Sequence, residues 1–257
     1  MSDEVLVERR GAVLVVTINR PEVRNALDRA VARRIADAAD ELDASDDLGA
    51  AVLTGAGGVF SAGMDLKAYH LRGEFPTVEG RGLCGISRTP PAKPLIAAVE
   101  GWALAGGFEL VLACDLVVAG RTARFGLPEV RRSLVATGGG AALLPRRIPR
   151  ALALEMVLTG DPVDAERAHA MGLVNHVTDE GGALERAVAL AERITANGPL
   201  AVAASKRVVR ESPDWALAEI WDRQAEITAH VFASADAAEG AAAFAQKRDA
   251  VWGGPAQ

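Results

Sequence analysis

The stretch from Leu95 to Ala119 constrains the fold more than any other part of the chain. It is apolar almost throughout, yet Glu100, Glu109, Asp115 and the glycines Gly101, Gly106 and Gly107 interrupt it. Those interruptions argue against a membrane span, where each charged side chain near the bilayer centre would cost roughly 3 kcal/mol. They divide the stretch into a strand, Leu95–Val99, a helix beginning near Gly106, and a third β-type run, Leu116–Ala119. Strands this apolar have to be covered on both faces, as the buried parallel strands of layered α/β folds are.

The rest of the chain fits the same class. Val5–Val7 and Ala12–Ile18 read as two strands about a turn at Arg9-Arg10-Gly11. Asn19-Arg20-Pro21 breaks the pattern, and Asp28 starts a helix to about Leu42 with Val31, Ile35, Ala38, Ala39 and Leu42 at helical spacing. Ala50–Leu53 is a short buried strand, followed by the loop Gly55-Ala56-Gly57-Gly58. From Ala183 onward the texture changes. Leu184–Ala196, Leu200–Val209, Trp215–Phe232 and Ala237–Arg248 are Ala-rich helix candidates, separated by Gly, Pro and Ser breaks. The expected organisation is an α/β core over residues 1–195 and a helical region over residues 196–257, of a kind that often packs on a neighbouring subunit. Residues 71–92 lack a clean period and are rich in Gly and Pro. They read either as a surface loop or as a segment roofing a pocket.

Composition excludes several functions. The 28 basic and 34 acidic residues leave a net charge of −6, which argues against a protein that tracks nucleic-acid phosphates. The N-terminal ten residues hold no apolar core of signal-peptide length. Cys84 and Cys114 have no second pair, as in reduced cytosolic proteins, and His70, His169, His176 and His230 are scattered without metal-ligand spacing. The expectation is a cytoplasmic protein with no metal and no membrane partner. Only four of the basic residues are lysines, Lys67, Lys93, Lys206 and Lys247, so each merits inspection.

Glu109 lies among Phe108, Leu110, Val111 and Leu112. A carboxylate buried there must be paired, neutralised or functional. It is either ion-paired to one of the many arginines or, with a raised pKa, suited to acid–base work near neutral pH. Ala105-Gly106-Gly107 opens the same helix. It is either a tight turn or a set of backbone N–H groups that can hold an anion or a developing oxyanion. A second small-residue turn, Phe60-Ser61-Ala62-Gly63-Met64-Asp65-Leu66-Lys67, offers the Ala62 N–H and a nearby cation, or else is a solvated connector. Glu129, after Pro128, is ordinary helix-start chemistry unless it pairs across a pocket with Glu109. Two carboxyls sharing one water can divide the work, one taking its proton while the other supplies a proton to carbon.

Taken together, NRPEVRNAL (19–27), VFSAGMDLK (59–67), AAVEGWALAGGFELVLACDLVVA (97–119), FGLPEV (125–130) and MVLTGDPVDAERAHAMGLVNHV (156–177) resemble the enoyl-CoA hydratase/isomerase (crotonase) superfamily. The resemblance runs from about Val5 to Lys247 in the family's order and spacing. It implies a spiral of ββα units with a C-terminal helical region, assembled as a homotrimer or a dimer of trimers. It also implies an acyl-CoA thioester substrate whose carbonyl becomes an enolate held by the N–H groups of Ala62 and Gly106. Glu109 and Glu129 then match the two glutamates of hydratases, Glu129 protonating the α-carbon and Glu109 deprotonating water. Substrate and CoA contacts are expected from Arg24, Ala26, Ala62, Met64, Asp65, Leu66, Lys67, Gly106 and Thr137, and from Phe244 and Lys247 of a neighbouring subunit. Lys206 is expected to be structural. No cofactor is expected, coenzyme A being part of the substrate. The implied reaction is reversible syn hydration of a trans-2-enoyl-CoA. The alternatives are a Δ3–Δ2 isomerase, a specialised 3-hydroxyacyl-CoA dehydratase and a non-catalytic acyl-CoA-binding protein. A thioester hydrolase or decarboxylase fits two glutamates less well. The sequence departs from the hydratase pattern at Ala105, Ser133 and Thr137, where glycines are common.

Overall fold

A computed structural model describes residues 4–253; residues 1–3 and 254–257, the ends of the two expected segments, lie outside the described residues. The chain opens with the hairpin β1 (Val5–Arg10) and β2 (Val13–Ile18), followed by α1 (Arg29–Ala44) and β3 (Ala50–Gly55). After α2 (Leu66–Arg72) come a short hairpin, β4 (Thr77–Val78) with β5 (Gly82–Leu83), and then β6 (Leu95–Val99) and β7 (Trp102–Leu104). α3 (Gly106–Ala113), β8 (Leu116–Gly120) and β9 (Arg124–Gly126) lead to α4 (Gly140–Arg147) and α5 (Arg150–Thr159). β10 (Val163–Asp164), α6 (Ala165–Ala170) and β11 (His176–Thr178) precede α7 (Ala183–Thr195). The chain then becomes helical: α8 (Pro199–Glu211), α9 (Ile220–Phe232) and α10 (Ala235–Gln246).

Six strands form one sheet in the order β1-β2-β3-β6-β8-β11, parallel from β2 onward with β1 antiparallel at the edge. A smaller sheet, β10-β9-β7, stands beside it. Alternation along β2 explains its unbroken apolar sequence. Leu14, Val16 and Ile18 join the main core with Val31, Ile35 and Leu42 of α1. Val13 and Val15 face the other way, onto Ala183, Ala187, Val188 and Ala191 of α7. Both faces are therefore covered, and a slip of one residue would exchange every side chain between two cores of different shape.

Two of the three acids in the Leu95–Ala119 stretch hold the frame. Asp115 accepts the Leu95 N–H at 2.8 Å and the Lys206 ammonium at 2.6 Å, so Lys206 is structural. Glu100 accepts the Ala183 N–H at 3.0 Å, at the start of α7. Lys93 caps the end of α1 through the carbonyls of Leu42 and Ser45.

Two local expectations are corrected, and a third, left with two alternatives, is narrowed to one. β1 runs through Arg9 and Arg10, which pair with Leu14 and Val13, so the turn falls at Gly11, whose φ is +57°. The arginines stay in the strand because their charges reach Glu41, Glu8 and Glu185 at the edge. Trp215–Phe232 is not one helix: Trp215 and Ala216 are extended, and α9 begins only at Ile220. Ser212-Pro213 lies just past the end of α8, and Asp214 is tied to Arg146, which holds this segment outside the helical path. Residues 71–92 hold the end of α2 and the β4–β5 hairpin, and much of the segment borders the cavity described next.

Candidate active site

A cavity of about 1230 Å³ opens between the start of α3, the 61–66 loop, the β4–β5 hairpin and residues 128–143. Glu109, in the first turn of α3, projects into it and is 5 % exposed. Among the described residues no ion pair involves Glu109, which disposes of the arginine-paired reading. Its Oε1 instead accepts the Gly140 N–H at 2.9 Å. Burial raises its pKa, opposed by the N–H groups of Gly140, Gly138 and Gly139. The run Gly138-Gly139-Gly140 is the cradle of this carboxyl: a Cβ on Gly138 would sit 2.6 Å from Glu109 Oε2.

Glu129 reaches the cavity from a short 3₁₀ turn, Pro128–Arg132, where Pro at the first position fixes the entry angle. Its Oε2 is buried without a hydrogen-bond partner. Burial, and after it the Glu109 charge, push its pKa up to about 7, against the lowering effect of its own backbone N–H and of Arg132. One carboxyl is thus cradled by the N–H groups of a glycine run, and the other keeps one buried oxygen, Oε2, without a partner. Burial raises both, so it is the different hydrogen bonding of the two carboxyls, and not opposite shifts, that distinguishes their places in the site.

The turn 61–65 packs on the start of α3. A Cβ on Gly63, whose φ is +93°, would meet Ala105 Cβ and the Leu104 carbonyl at 2.9 Å and the Gly106 nitrogen at 3.0 Å, so only glycine permits this approach. The Ala62 N–H donates to the Arg24 carbonyl at 3.0 Å, which corrects the expectation that it serves as an oxyanion donor. Gly63 N–H donates to Ser61 Oγ at 3.1 Å and Asp65 N–H to the Leu27 carbonyl at 2.8 Å. The Met64 N–H has no acceptor among the described residues, and neither does the Gly106 N–H. Sequence reasoning missed this choice because four successive small or flexible positions look alike until their carbonyl partners are known.

The turn is held from beneath by Asn25, which is fully buried although polar. Its Oδ1 accepts the Arg20 N–H, and its Nδ2 donates to the carbonyls of Ala56 at 2.9 Å and Val59 at 2.6 Å. Ser61 Oγ donates to the Asn25 carbonyl at 2.8 Å.

Arg24, Ala62, Met64, Leu66, Gly106, Glu109, Glu129 and Thr137 all border the cavity, whereas Ala26, Asp65 and Lys67 do not. Asp65 caps α2 through the N–H groups of Lys67 and Ala68 and pairs with Arg20. Burial works against its charge, but the Ala68 N–H and Arg20 outweigh it and the pKa falls, so this carboxylate is committed to the frame. The Ala26 carbonyl accepts from Arg20 Nη1 at 2.7 Å. Lys67 is exposed on α2. Phe244 and Lys247, at the end of α10, are not brought to the cavity within one chain.

Residues 8–255 match the family model described as enoyl-CoA hydratase/isomerase. The chain is 45 % identical over 252 residues to the enoyl-CoA hydratase EchA19 of Mycobacterium tuberculosis, covering 95 % of this chain and 94 % of that protein. It is 38 % identical to a carnitinyl-CoA dehydratase of Salmonella heidelberg, covering 99 % and 100 % of the two chains. A crystal structure of an enoyl-CoA hydratase from Mycobacterium tuberculosis superposes with a TM-score of 0.96 at 57 % identity, over 99 % of this chain and 100 % of that one. The chain belongs to the enoyl-CoA hydratase/isomerase family, with its crotonase fold, and is an enzyme of the hydratase type.

Proposed function

We propose that this chain adds water reversibly and syn across the double bond of a trans-2-enoyl-CoA, giving a 3-hydroxyacyl-CoA. The observation that carries this reading is the pair of carboxyls in one cavity, one cradled by backbone N–H groups and one with an unpartnered buried oxygen, beside two N–H groups that have no acceptor among the described residues. The thioester oxygen accepts from Met64 and Gly106, which stabilise the negative charge that gathers there as the enolate forms. Glu109, ionised and oriented by Gly140, takes a proton from water as its oxygen bonds to the β-carbon. Glu129, protonated, gives its proton to the α-carbon as the enolate collapses. In the reverse direction the two exchange roles, so the same site dehydrates. No cofactor enters the scheme. Arg24, at the cavity edge, meets the CoA portion.

The exposed apolar side chains of the helical region support assembly through residues 196–257 as a homotrimer or a dimer of trimers. They include Leu217, Trp221, Phe232 and Phe244. In that assembly Phe244 and Lys247 complete a neighbour's nucleotide site. Two buried free cysteines support a cytoplasmic location, and among the described residues no helix is long and apolar enough to cross a membrane.

Loss of the conjugated-thioester absorbance with crotonyl-CoA tests the roles. Glu109→Gln and Glu129→Gln should each slow hydration by about 10²–10⁴-fold while CoA binding stays near wild type, because the amide keeps shape but cannot exchange the proton. Full hydration in either variant refutes its assigned role. Turnover of a 3-enoyl-CoA without any hydration makes the chain an isomerase, and binding without turnover of any substrate makes it a carrier.

A further inference from the structure

The hydrogen bonds that orient Glu109 come from the entry to α4, so the seat of α4 decides where the base points. The N–H groups of Gly138, Gly139 and Gly140 act on the carboxyl, and that of Gly140 donates to Oε1 at 2.9 Å. A glycine run has no side chains with which to hold its place, and its backbone is the most permissive of any residue's. The position of these donors is therefore set by whatever anchors the helix that follows them. Along most of its length α4 is lightly held. Of its residues only Gly140 and Leu144 are buried, while Ala141, Ala142, Pro145 and Arg146 are exposed. Pro145 lacks the N–H that would bond to the Ala141 carbonyl. Arg146 pairs with Asp214, but both side chains are exposed, and such pairs contribute little.

Arg147, the last residue of α4, is the exception. Its Nη1 donates to the Cys114 carbonyl at 2.8 Å and the Leu112 carbonyl at 3.5 Å, and its Nη2 to the Asp115 carbonyl at 3.4 Å. These carbonyls lie in the last turn of α3 and just beyond it, where a helix leaves acceptors unused and its dipole is negative, so a guanidinium is well placed there. The anchor point is itself fixed, because the Asp115 carboxylate holds the Leu95 N–H and the Lys206 ammonium. α3 and α4 have eight residues each and are about 12 Å long, and they lie start to start and end to end. Gly140 meets Glu109 at one end, and Arg147 meets Cys114 at the other. Arg147 does not border the cavity, so it reaches the chemistry only through the helix it anchors.

We propose that Arg147 is a positioning residue for Glu109, holding α4 along α3 so that the glycine N–H groups stay on the base. The inference rests on the hydratase reading, and its test separates the two. Hydration of crotonyl-CoA is measured for wild type, Arg147→Gln, Glu109→Gln and the double variant, with enzyme concentration raised to read the residual rates. Arg147→Gln should lower kcat by about tenfold while KM stays within about twofold, because a misplaced base costs rate rather than binding. In the Glu109→Gln background the same substitution should cost less than about twofold, since no base remains to be placed. A change in KM alone, an unchanged kcat, or a loss of about tenfold in both backgrounds overturns the inference and leaves the hydratase reading standing. Should Arg147→Gln fail to fold, the cycle is run with Arg147→Lys, which keeps the charge but not the fork of donors. That variant should also lose kcat in the wild-type background alone, and wild-type kcat or an equal loss in both backgrounds overturns the inference. No hydration by the wild-type chain, or full hydration by Glu109→Gln, overturns the reading on which the inference rests.

Discussion

Glu129 is where burial, rather than charge pairing, sets the chemistry. A carboxyl that ordinarily titrates near 4.5 is pushed up to about 7 by desolvation, with the Glu109 charge adding to it. Hydration needs its protonated form, so kcat/KM for hydration should fall as pH rises through about 7. Dehydration needs the ionised form at the same residue, so its acid limb should fall near the same pH. Measuring both directions on one preparation checks the assignment, and parallel profiles would contradict it. The same shift has a cost in stability. Between pH 4.5 and 7 the folded chain holds a proton at Glu129 that the unfolded chain releases. The residue is therefore harmless to the fold below that window and destabilising above it. Glu129→Gln should melt at a higher temperature than wild type at about pH 8, with the difference shrinking at about pH 5. Ala105 is a second residue out of balance. Its φ of 50° and ψ of −126° belong to glycine, and its N–H is fixed by the Gly126 carbonyl. Such a conformation costs a side chain of order 1–3 kcal/mol, partly offset in a Gly variant by ~0.5–1 kcal/mol of backbone entropy. Ala105→Gly should raise the melting temperature by a few degrees, read by calorimetry.

At the scale of elements, the site is a meeting of one helix start with three loops, and the 61–65 loop is held by polar groups that do not border the cavity. Asn25 and Ser61 fix the turn that aims the Met64 N–H, through bonds to the carbonyls of Ala56, Val59 and Asn25. Ser61→Ala removes the acceptor of the Gly63 N–H. It should lower kcat more than it raises KM, by about 10-fold or more, because the donor it positions matters most as charge develops. A change in KM alone would mean that the bond only shapes binding. Gly138→Ala is a sharper case. The added methyl meets Glu109 Oε2 at 2.6 Å and must displace the base, so hydration should fall while the circular-dichroism spectrum is kept. Much of this was legible in the sequence. The periodicity of α1, the apolar runs of β2, β3, β6 and β8, and the glutamate stranded among apolar neighbours in α3 all came from side-chain pattern, which burial reads directly. The choice between the Ala62 and Met64 N–H groups, and the Gly138–Gly140 cradle, did not. Those are decided by which backbone groups already have partners, and one small residue in a turn looks like another until the turn is folded. The break at Trp215–Ala216 escaped for a related reason, since helix propensity on both sides hid an extended pair.

For the whole molecule, the main sheet is covered on both faces by α1 and α7, so the core is complete within one chain. The helical region is different. Only Ala204 of α8, Ile227 of α9, and Asp236 and Ala243 of α10 are buried, while Leu217 is 83 % exposed, Trp221 74 %, Phe232 80 % and Phe244 88 %. Bare side chains of this size on adjoining elements are what an assembly interface presents before it closes. Phe244 and Lys247 do not border the cavity of their own chain, so a role in CoA binding requires a neighbour's site. Coexpression separates action within a chain from action between chains. A chain carrying Glu109→Gln supplies an intact α10 but no base; a chain carrying Phe244→Ala and Lys247→Ala supplies the base but no contact. If the contact crosses the interface of a cyclic assembly, random mixing pairs an intact base with an intact neighbour at about a quarter of the sites, and that fraction of wild-type activity should return. Light scattering would first show whether each variant still assembles. Activity of the mixture no greater than the sum of the two parents would place Phe244 and Lys247 outside the neighbour's site.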